Sequence, residues 1–317
     1  MKKLSLLLTC LMLGLYSSGQ EKDQNDIQEQ GVSLVVLGNV QDGGSPHIGC
    51  NKVCCSALFK KPDPDRKVVA LGLVDHENEK RYLFEATPDL TSQKKHLKEY
   101  GKPANSETPD GIFLTHAHIG HYSGLMYLGK EAMNADSTPV YAMPKMKEFL
   151  KNHGPWSQLV SNSNILIKDL FDEQRVELTP QISVTPFKVP HRDEYSETVG
   201  YRIEGPKKTA LFIPDIDKWN KWEKDIVAEI KKVDYAFLDA TFFDAKEINN
   251  RDISEIPHPF VIESMNNFKD LTANEKAKIF FIHFNHTNPL LDHQSEEYMK
   301  VLKAGFNVAN IRDVFKL

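Results

Sequence analysis

From residue 31 onward the chain alternates short apolar runs with segments of mixed polarity. The first series of runs lies at 31–38 (GVSLVVLG), 67–75 (KVVALGLVD), 80–86 (KRYLFEA), 110–115 (DGIFLT), 138–143 (TPVYAM) and 164–170 (NILIKDL). A second series follows at 181–189 (QISVTPFKV), 198–204 (TVGYRIE), 208–215 (KTALFIPD), 233–240 (VDYAFLDA) and 277–284 (AKIFFIHF). Short runs of this composition, with turn-forming residues between many of them, predict strands. Helical periodicity predicts helices over 88–101, 144–154, 217–233, 258–268 and 293–305. Strands mixed with helices in both halves predict a layered α/β protein, with helices outside two packed sheets. No repeat, low-complexity tract or internal linker interrupts 31–317, which reads as one domain.

The N-terminus departs from this pattern. Lys2 and Lys3 precede an apolar stretch from Leu4 to Leu15, and the small residues Ser17, Ser18 and Gly19 follow. That three-part design predicts a secretory signal over 1–19, cleaved before Gln20. The apolar stretch is short for a membrane anchor. Residues 20–30 (QEKDQNDIQEQ) are polar and read as a flexible lead-in. No later segment is apolar enough to span a membrane, so the expectation is an exported protein, periplasmic or secreted.

The chain has 317 residues, 40% hydrophobic and 26% charged, an ordinary soluble composition. Its net charge of -5 argues against nucleic acid as the dominant partner, and a small-molecule substrate is expected instead. Of four cysteines, Cys10 falls in the leader, leaving Cys50, Cys54 and Cys55. Three thiols cannot all pair internally, and adjacent cysteines make only a strained disulfide. The cluster suits a tetrahedral zinc short of one ligand, with a disulfide plus a free thiol as the alternative.

The densest chemistry lies in LTHAHIGHYSG, residues 114–124, where His116, His118 and His121 follow an apolar run. Three protein ligands are the usual minimum for a catalytic zinc. Further candidates stand just beyond other apolar runs: His191 after VTPFKVP, Asp215 after ALFIP and His283 after KIFFI. The scattered His76, His96, His153 and His258 read as surface residues. Trp219 and Trp222, three apart, read as a packing face. Asp217 reads as a support for the site or a helix cap.

In this order the motifs resemble the metallo-β-lactamase superfamily, whose pattern is His-x-His-x-Asp-His, with Gly120 here where the aspartate stands. The strings LGNVQDGGSPHIGCNKVCC, PHRDEYSETVGYRI and FIHFNHTNPLL are most similar to the pyrroloquinoline-quinone biosynthesis protein B group. The resemblance implies a four-layer αββα sandwich. It implies one metal held by His116, His118 and His191, a second by His121 and His283, and Asp215 bridging them. Asp215 and His121 are then the candidate catalytic residues, with zinc the expected metal and iron or manganese as alternatives. Gly120 implies a second position short of one carboxylate, for which Asp42 and Glu194 are possible substitutes. The phosphodiesterase relatives imply a structural zinc on Cys50, Cys54, Cys55 and His286, with His47 as a rival fourth ligand. Thr287 and Asn288, following the last ligand, are candidate substrate contacts or turn formers.

The function expected is metal-activated attack of water on an ester or phosphodiester. Two alternatives stand beside it, the first implied by the resemblance and the second by Gly120. One is an oxidoreductase whose redox metal hydroxylates a tyrosine-derived precursor. The other is a zinc-binding protein without catalysis.

Overall fold

The computed structural model describes residues 30–101, 106–192, 194–249 and 252–317. The expected leader, and all but the last residue of the lead-in, lie outside them. The first half forms β1 (Val32–Gly38), β2 (Ala70–Asp75), β3 (Lys80–Phe84), β4 (Gly111–Phe113), β5 (Thr138–Ala142) and β6 (Ile165–Asp169). The second half forms β7 (Val176–Thr179), β8 (Ile182–Lys188), β9 (Val199–Glu204), β10 (Thr209–Ile213), β11 (Tyr235–Asp239), β12 (Ile279–Ile282) and β13 (Asn307–Val308). The last strand, β14 (Val314–Lys316), returns to pair antiparallel with β1. Two seven-stranded mixed sheets result, in the orders β14-β1-β2-β3-β4-β5-β6 and β13-β12-β11-β10-β9-β8-β7.

Alternation along the strands builds the layers. In β1, Leu34 and Val36 point into the core between the sheets, whereas Val35 and Leu37 point to the core beneath the helices. The second sheet repeats this: Ala210, Phe212 and Phe237 face inward, and Leu211, Ile213, Ala236 and Leu238 face outward. Strands buried on both faces read as near-continuous apolar runs, and that is what the sequence contains. Phe84, Phe113, Tyr201 and Phe212 pack at the centre of the sandwich, Phe84 stacked on Phe113 and the other pairs edge to face. Truncating one of them to alanine would cost about 3–5 kcal/mol. Helices Leu90–Glu99, Pro144–Asn152 and Trp156–Ser161 cover the first sheet through Leu97, Phe149 and Trp156. Helices Ile226–Lys231, Val261–Asn267 and Glu296–Lys303 cover the second through Ile230, Val261 and Val301. The architecture is the αββα sandwich.

The helix expected over 217–233 is shorter than its periodicity suggested. A 3-10 turn at Trp219–Lys221 precedes helix Ile226–Lys231, where the Asp225 side chain accepts the backbone N–H of Val227 and caps the start. The two tryptophans do pack inward, their ring N–H groups donating to Ser264 Oγ and the Lys188 carbonyl at 2.9 Å each. Edge strands β7, β13 and β14, and helix Val53–Lys60 carrying two of the cysteines, escaped the sequence pattern.

Candidate metal centre

Strands of both sheets end on one edge of the sandwich, and the residues just past those ends converge. His116 and His118 follow β4, with His121 in the short helix Ile119–Tyr122. His191 follows β8, Asp215 follows β10 and His283 follows β12. The side chains of His116, His121, His191, Asp215 and His283 are buried and that of His118 is nearly so. His283 takes a positive φ of 69°, a backbone cost accepted where the ring is turned into the cluster.

Two sets of four ligand atoms form, each mutually within 4.8 Å: His116, His118, His191 and Asp215, and then Asp42, His121, Asp215 and His283. In the first, His116 Nε2 lies 2.8 Å from His118 Nδ1 and 3.4 Å from Asp215 Oδ2. His191 Nε2 lies 3.3 Å from His118 Nδ1 and 3.2 Å from Asp215 Oδ2. Ligand atoms around a tetrahedral zinc with bonds of about 2.0–2.1 Å stand about 3.3–3.4 Å apart, so the donor set fits such an ion. Buried Asp215 Oδ1 and His121 Nε2 also lack a hydrogen-bond partner of good geometry, as atoms awaiting a cation do.

In the second set Asp42 Oδ1 lies 2.8 Å from His121 Nε2 and 3.5 Å from His283 Nε2. Its position is set by a strap after β1. Val40 bridges both Val68 and Phe284, and the backbone N–H of Gln41 donates to the Phe284 carbonyl at 2.8 Å. A second position short of one carboxylate was expected here, with Asp42 as a possible substitute, and the strap brings the Asp42 carboxylate beside His121 and His283. Glu194 stays at the exposed rim, 3.8 Å from His118 Nε2.

The outward ring nitrogens of His116, His121, His191 and His283 each meet a polar side chain. His116 Nδ1 meets Thr115 Oγ1 at 2.9 Å, His121 Nδ1 meets Glu85 Oε1 at 3.1 Å and His191 Nδ1 meets Asp217 Oδ1 at 3.3 Å. His283 Nδ1 meets Thr241 Oγ1 at 2.9 Å. Such contacts hold the ring orientation and tautomer of metal-binding histidines. Asp217 thus supports His191, one of its two expected roles.

His258, expected on the surface, is a correction. Its Nδ1 lies 3.1 Å from Asp215 Oδ1 and 2.9 Å from Asp239 Oδ2, because the residues leading into helix Val261–Asn267 pass beside the cluster. Burial pushes its pKa down, but the two carboxylates outweigh burial and hold it well above the ordinary value. Asp239 and Glu85, both fully buried, were not foreseen. Their signal was present, since each ends an apolar run as Asp215 does.

The cysteine cluster lies nearby in sequence. Cys50, Cys55 and His286 offer ligand atoms mutually within 4.8 Å. Cys54 Sγ lies 3.8 Å from Cys50 Sγ and 3.9 Å from Cys55 Sγ, yet outside that mutual set. Sulfurs on a tetrahedral zinc with bonds of about 2.3 Å stand about 3.8 Å apart, whereas a disulfide needs about 2.05 Å. The three thiols are free and spaced for a metal. Backbone N–H groups of Lys52 and His47 donate to Cys50 Sγ at 3.4 Å and to Cys55 Sγ at 3.3 Å. His47 stacks on His286 at 4.5 Å between ring centres, and buried His286 Nδ1 has no hydrogen-bond partner.

Asn288, a candidate substrate contact, is instead buried. It donates to the Ala240 and Thr241 carbonyls and accepts from the Leu290 N–H, which spends its side chain on the turn. Thr287 donates to Glu247 at 2.9 Å and lines a cavity with Lys52, Cys54 and Glu247 on the cysteine side.

Residues 80–284 match the family described as the beta-lactamase superfamily domain. Coenzyme PQQ synthesis protein B of Nitrosococcus oceani is 26% identical over 306 residues, spanning 86% of this chain and 96% of that protein. The protein of the same name from Methylorubrum extorquens is 23% identical over 302 residues, spanning 87% and 97%. Among solved structures, Zn(2+)-bound PqqB from Methylobacterium extorquens aligns with a TM-score of 0.73 at 22% identity, over 90% of this chain and 100% of that one. A diphosphatase from the PhnP family aligns with a TM-score of 0.59 at 23% identity, over 90% and 97%. At these identities the structural likeness speaks to the fold.

Proposed function

The chain belongs to the metallo-β-lactamase superfamily, and on that footing we propose that it is an exported, metal-dependent hydrolase of a small ester or phosphodiester. One observation carries the reading. Two four-ligand sets share Asp215 Oδ2, while His258 presses on the other oxygen of the same carboxylate.

His116, His118, His191 and Asp215 would hold one ion, and His121, Asp215 and His283 a second, with zinc the best match to the donor set. Bound there, a metal pair lowers the pKa of water and draws charge from the scissile group. The protein's own contribution is orientation and proton transfer. Asp217, Thr115, Glu85 and Thr241 hold the rings in place. His258, anchored through Nδ1 by Asp215 and Asp239, keeps Nε2 as the atom able to give a proton to the leaving oxygen. Across Glu194 from His118, a cleft of about 540 Å³ lined by Lys145, Phe149, His153, Glu194 and Tyr195 offers room for the rest of a small substrate.

The cysteines with His286 would hold a separate structural zinc. Among the described residues no helix is long and apolar enough to cross a membrane. Export rests on the leader pattern alone, and the mature protein from its native host should begin near Gln20.

The likeness to coenzyme PQQ synthesis protein B across 86% of the chain favours a second reading, a metal-dependent oxidoreductase step in quinone cofactor synthesis. The test of the first reading is turnover of bis(p-nitrophenyl) phosphate and p-nitrophenyl acetate by natively purified protein. Hydrolysis of one of them should vanish on chelation and return with zinc. Metal-replete protein inert toward both, yet stably loaded, would support a binding protein instead.

A further inference from the structure

Gly120 and Asp42 occupy one another's space. A Cβ built on Gly120 would stand 2.5 Å from Asp42 Cα, 2.6 Å from its Oδ1 and 2.8 Å from its Cβ. Real Cβ atoms do not approach backbone carbon that closely, so any side chain at 120 must displace the segment carrying Asp42. Gly120 has no positive φ that would demand glycine. The missing side chain answers a close approach rather than a turn.

We infer that Asp42 is the carboxylate ligand of the second metal, standing in for a side chain at position 120, and that Gly120 is the complementary half of this exchange. The inference rests on the metal-centre reading above and adds which residue completes it. Two alternatives to ligation can be weighed. A water-facing surface carboxylate would not be 14% exposed with both His121 and His283 within 3.5 Å. A simple ion pair to His121 would leave His283 Nε2 without purpose, yet that nitrogen also points at Asp42 Oδ1, and Asp215 Oδ2 lies 3.9 Å from His121 Nε2 on the same side. Four donors from β1's strap, the helix after β4, and the ends of β10 and β12 therefore close around one point. The ligand comes from the strap that Val40 pins to both sheets, so it is held as firmly as one on a helix.

The test is metal per chain and metal affinity in natively loaded wild type, Asp42→Asn, Gly120→Asp and the reciprocal double variant Asp42→Gly/Gly120→Asp. Asp42→Asn keeps shape and fold while removing the charge. It should lose about one metal ion per chain, or bind that ion at least about tenfold more weakly. Gly120→Asp should also lose the second ion, through crowding, and the double variant should not recover it, because the Asp42 Cα that a side chain at 120 would meet is still in place. Cobalt substitution gives an independent spectral readout of each position. Full and equal occupancy in wild type and Asp42→Asn would overturn the assignment, as would a single catalytic ion retained in both. In the second case the first position still binds, and a one-metal hydrolase survives. Protein with no ion on His116, His118 and His191 would instead sink the metal-centre reading itself.

Discussion

His258 Nδ1 lies 2.9 Å from Asp239 Oδ2, and the same nitrogen lies 3.1 Å from Asp215 Oδ1. The ring is therefore tied to the metal-ligand carboxylate without belonging to either ligand set that includes His116 or His121. A proton donor placed this way should be replaceable without loss of metal. His258→Gln is expected to lower kcat by about 10²–10⁴-fold while metal content stays unchanged. The loss should shrink for p-nitrophenolate, a leaving group needing little protonation, and grow for an alkoxide. Equal losses on both substrates, or loss of metal, would contradict the role.

Glu85 holds His121 from the opposite side of the ring to Asp42. Its Oε1 also accepts the Thr115 hydroxyl at 2.6 Å, so one buried carboxylate orders His121 and, through Thr115, His116. Glu85→Gln should weaken metal binding by about 10–100-fold in competition with a chromophoric chelator. An unchanged affinity would show that packing alone orients His121.

The cysteine cluster should be a metal site that supports the fold. Cys55→Ser should cost the cysteine-site metal, and stringent chelation, which strips the catalytic site as well, should expose titratable thiols in the unmutated protein. The melting temperature should fall by roughly 3–6 °C, the scale of losing about 2–4 kcal/mol in a chain of this size. Short segments join this cluster to the second metal position, 42 to 50 on one side and 283 to 286 on the other. Occupancy there should fall with the cysteine metal. A disulfide found by mass spectrometry in metal-loaded protein would refute this.

Glu247 makes the stability depend on pH. Burial is the main reason its pKa rises from 4.5 to about 7, against hydrogen bonds from the Phe243 N–H and Thr287 that pull it down. Its folded-state pKa lies above the unfolded one, so the folded protein holds the proton more tightly. That stability is fully present below about pH 4.5 and is lost as pH rises through about 7. Glu247→Gln should remove this loss, leaving the variant more stable than wild type by about 1–2 kcal/mol at pH 8 and no more stable at pH 4.5. Parallel denaturation curves at both pH values check it.

Much of the fold was legible because doubly buried strands leave unbroken apolar runs, and ligands just beyond such runs share an edge. His191, Asp215 and His283 were found that way. Asp239 and Glu85 follow the same rule, ending FLD and LFE, but carboxylates at strand ends are too common to single out without the fold. Asp42 was named only as one of two possible substitutes, and His258 carried no local signal. Asp42 is aimed by a backbone strap pairing residues 28 and 244 positions away, and His258 by the residues leading into helix Val261–Asn267 as they pass beside the cluster. Short edge strands such as β13, two residues long, owe their existence to a neighbouring strand rather than to their own composition. The continuous helix expected over 217–233 failed because Trp219 and Trp222 each needed a separate buried partner.

The central claim is that this site adds water across an ester or phosphodiester bond with metal, and no oxidant, required. The most direct measurement is anaerobic turnover of a diester by metal-loaded protein in ¹⁸O-labelled water, with the products read by mass spectrometry. The account predicts unimpaired turnover without oxygen and one solvent-derived ¹⁸O in the acid product, both abolished by chelation. Turnover that stops without dioxygen, or a product oxygen drawn from dioxygen, would contradict it and establish the oxidoreductase reading.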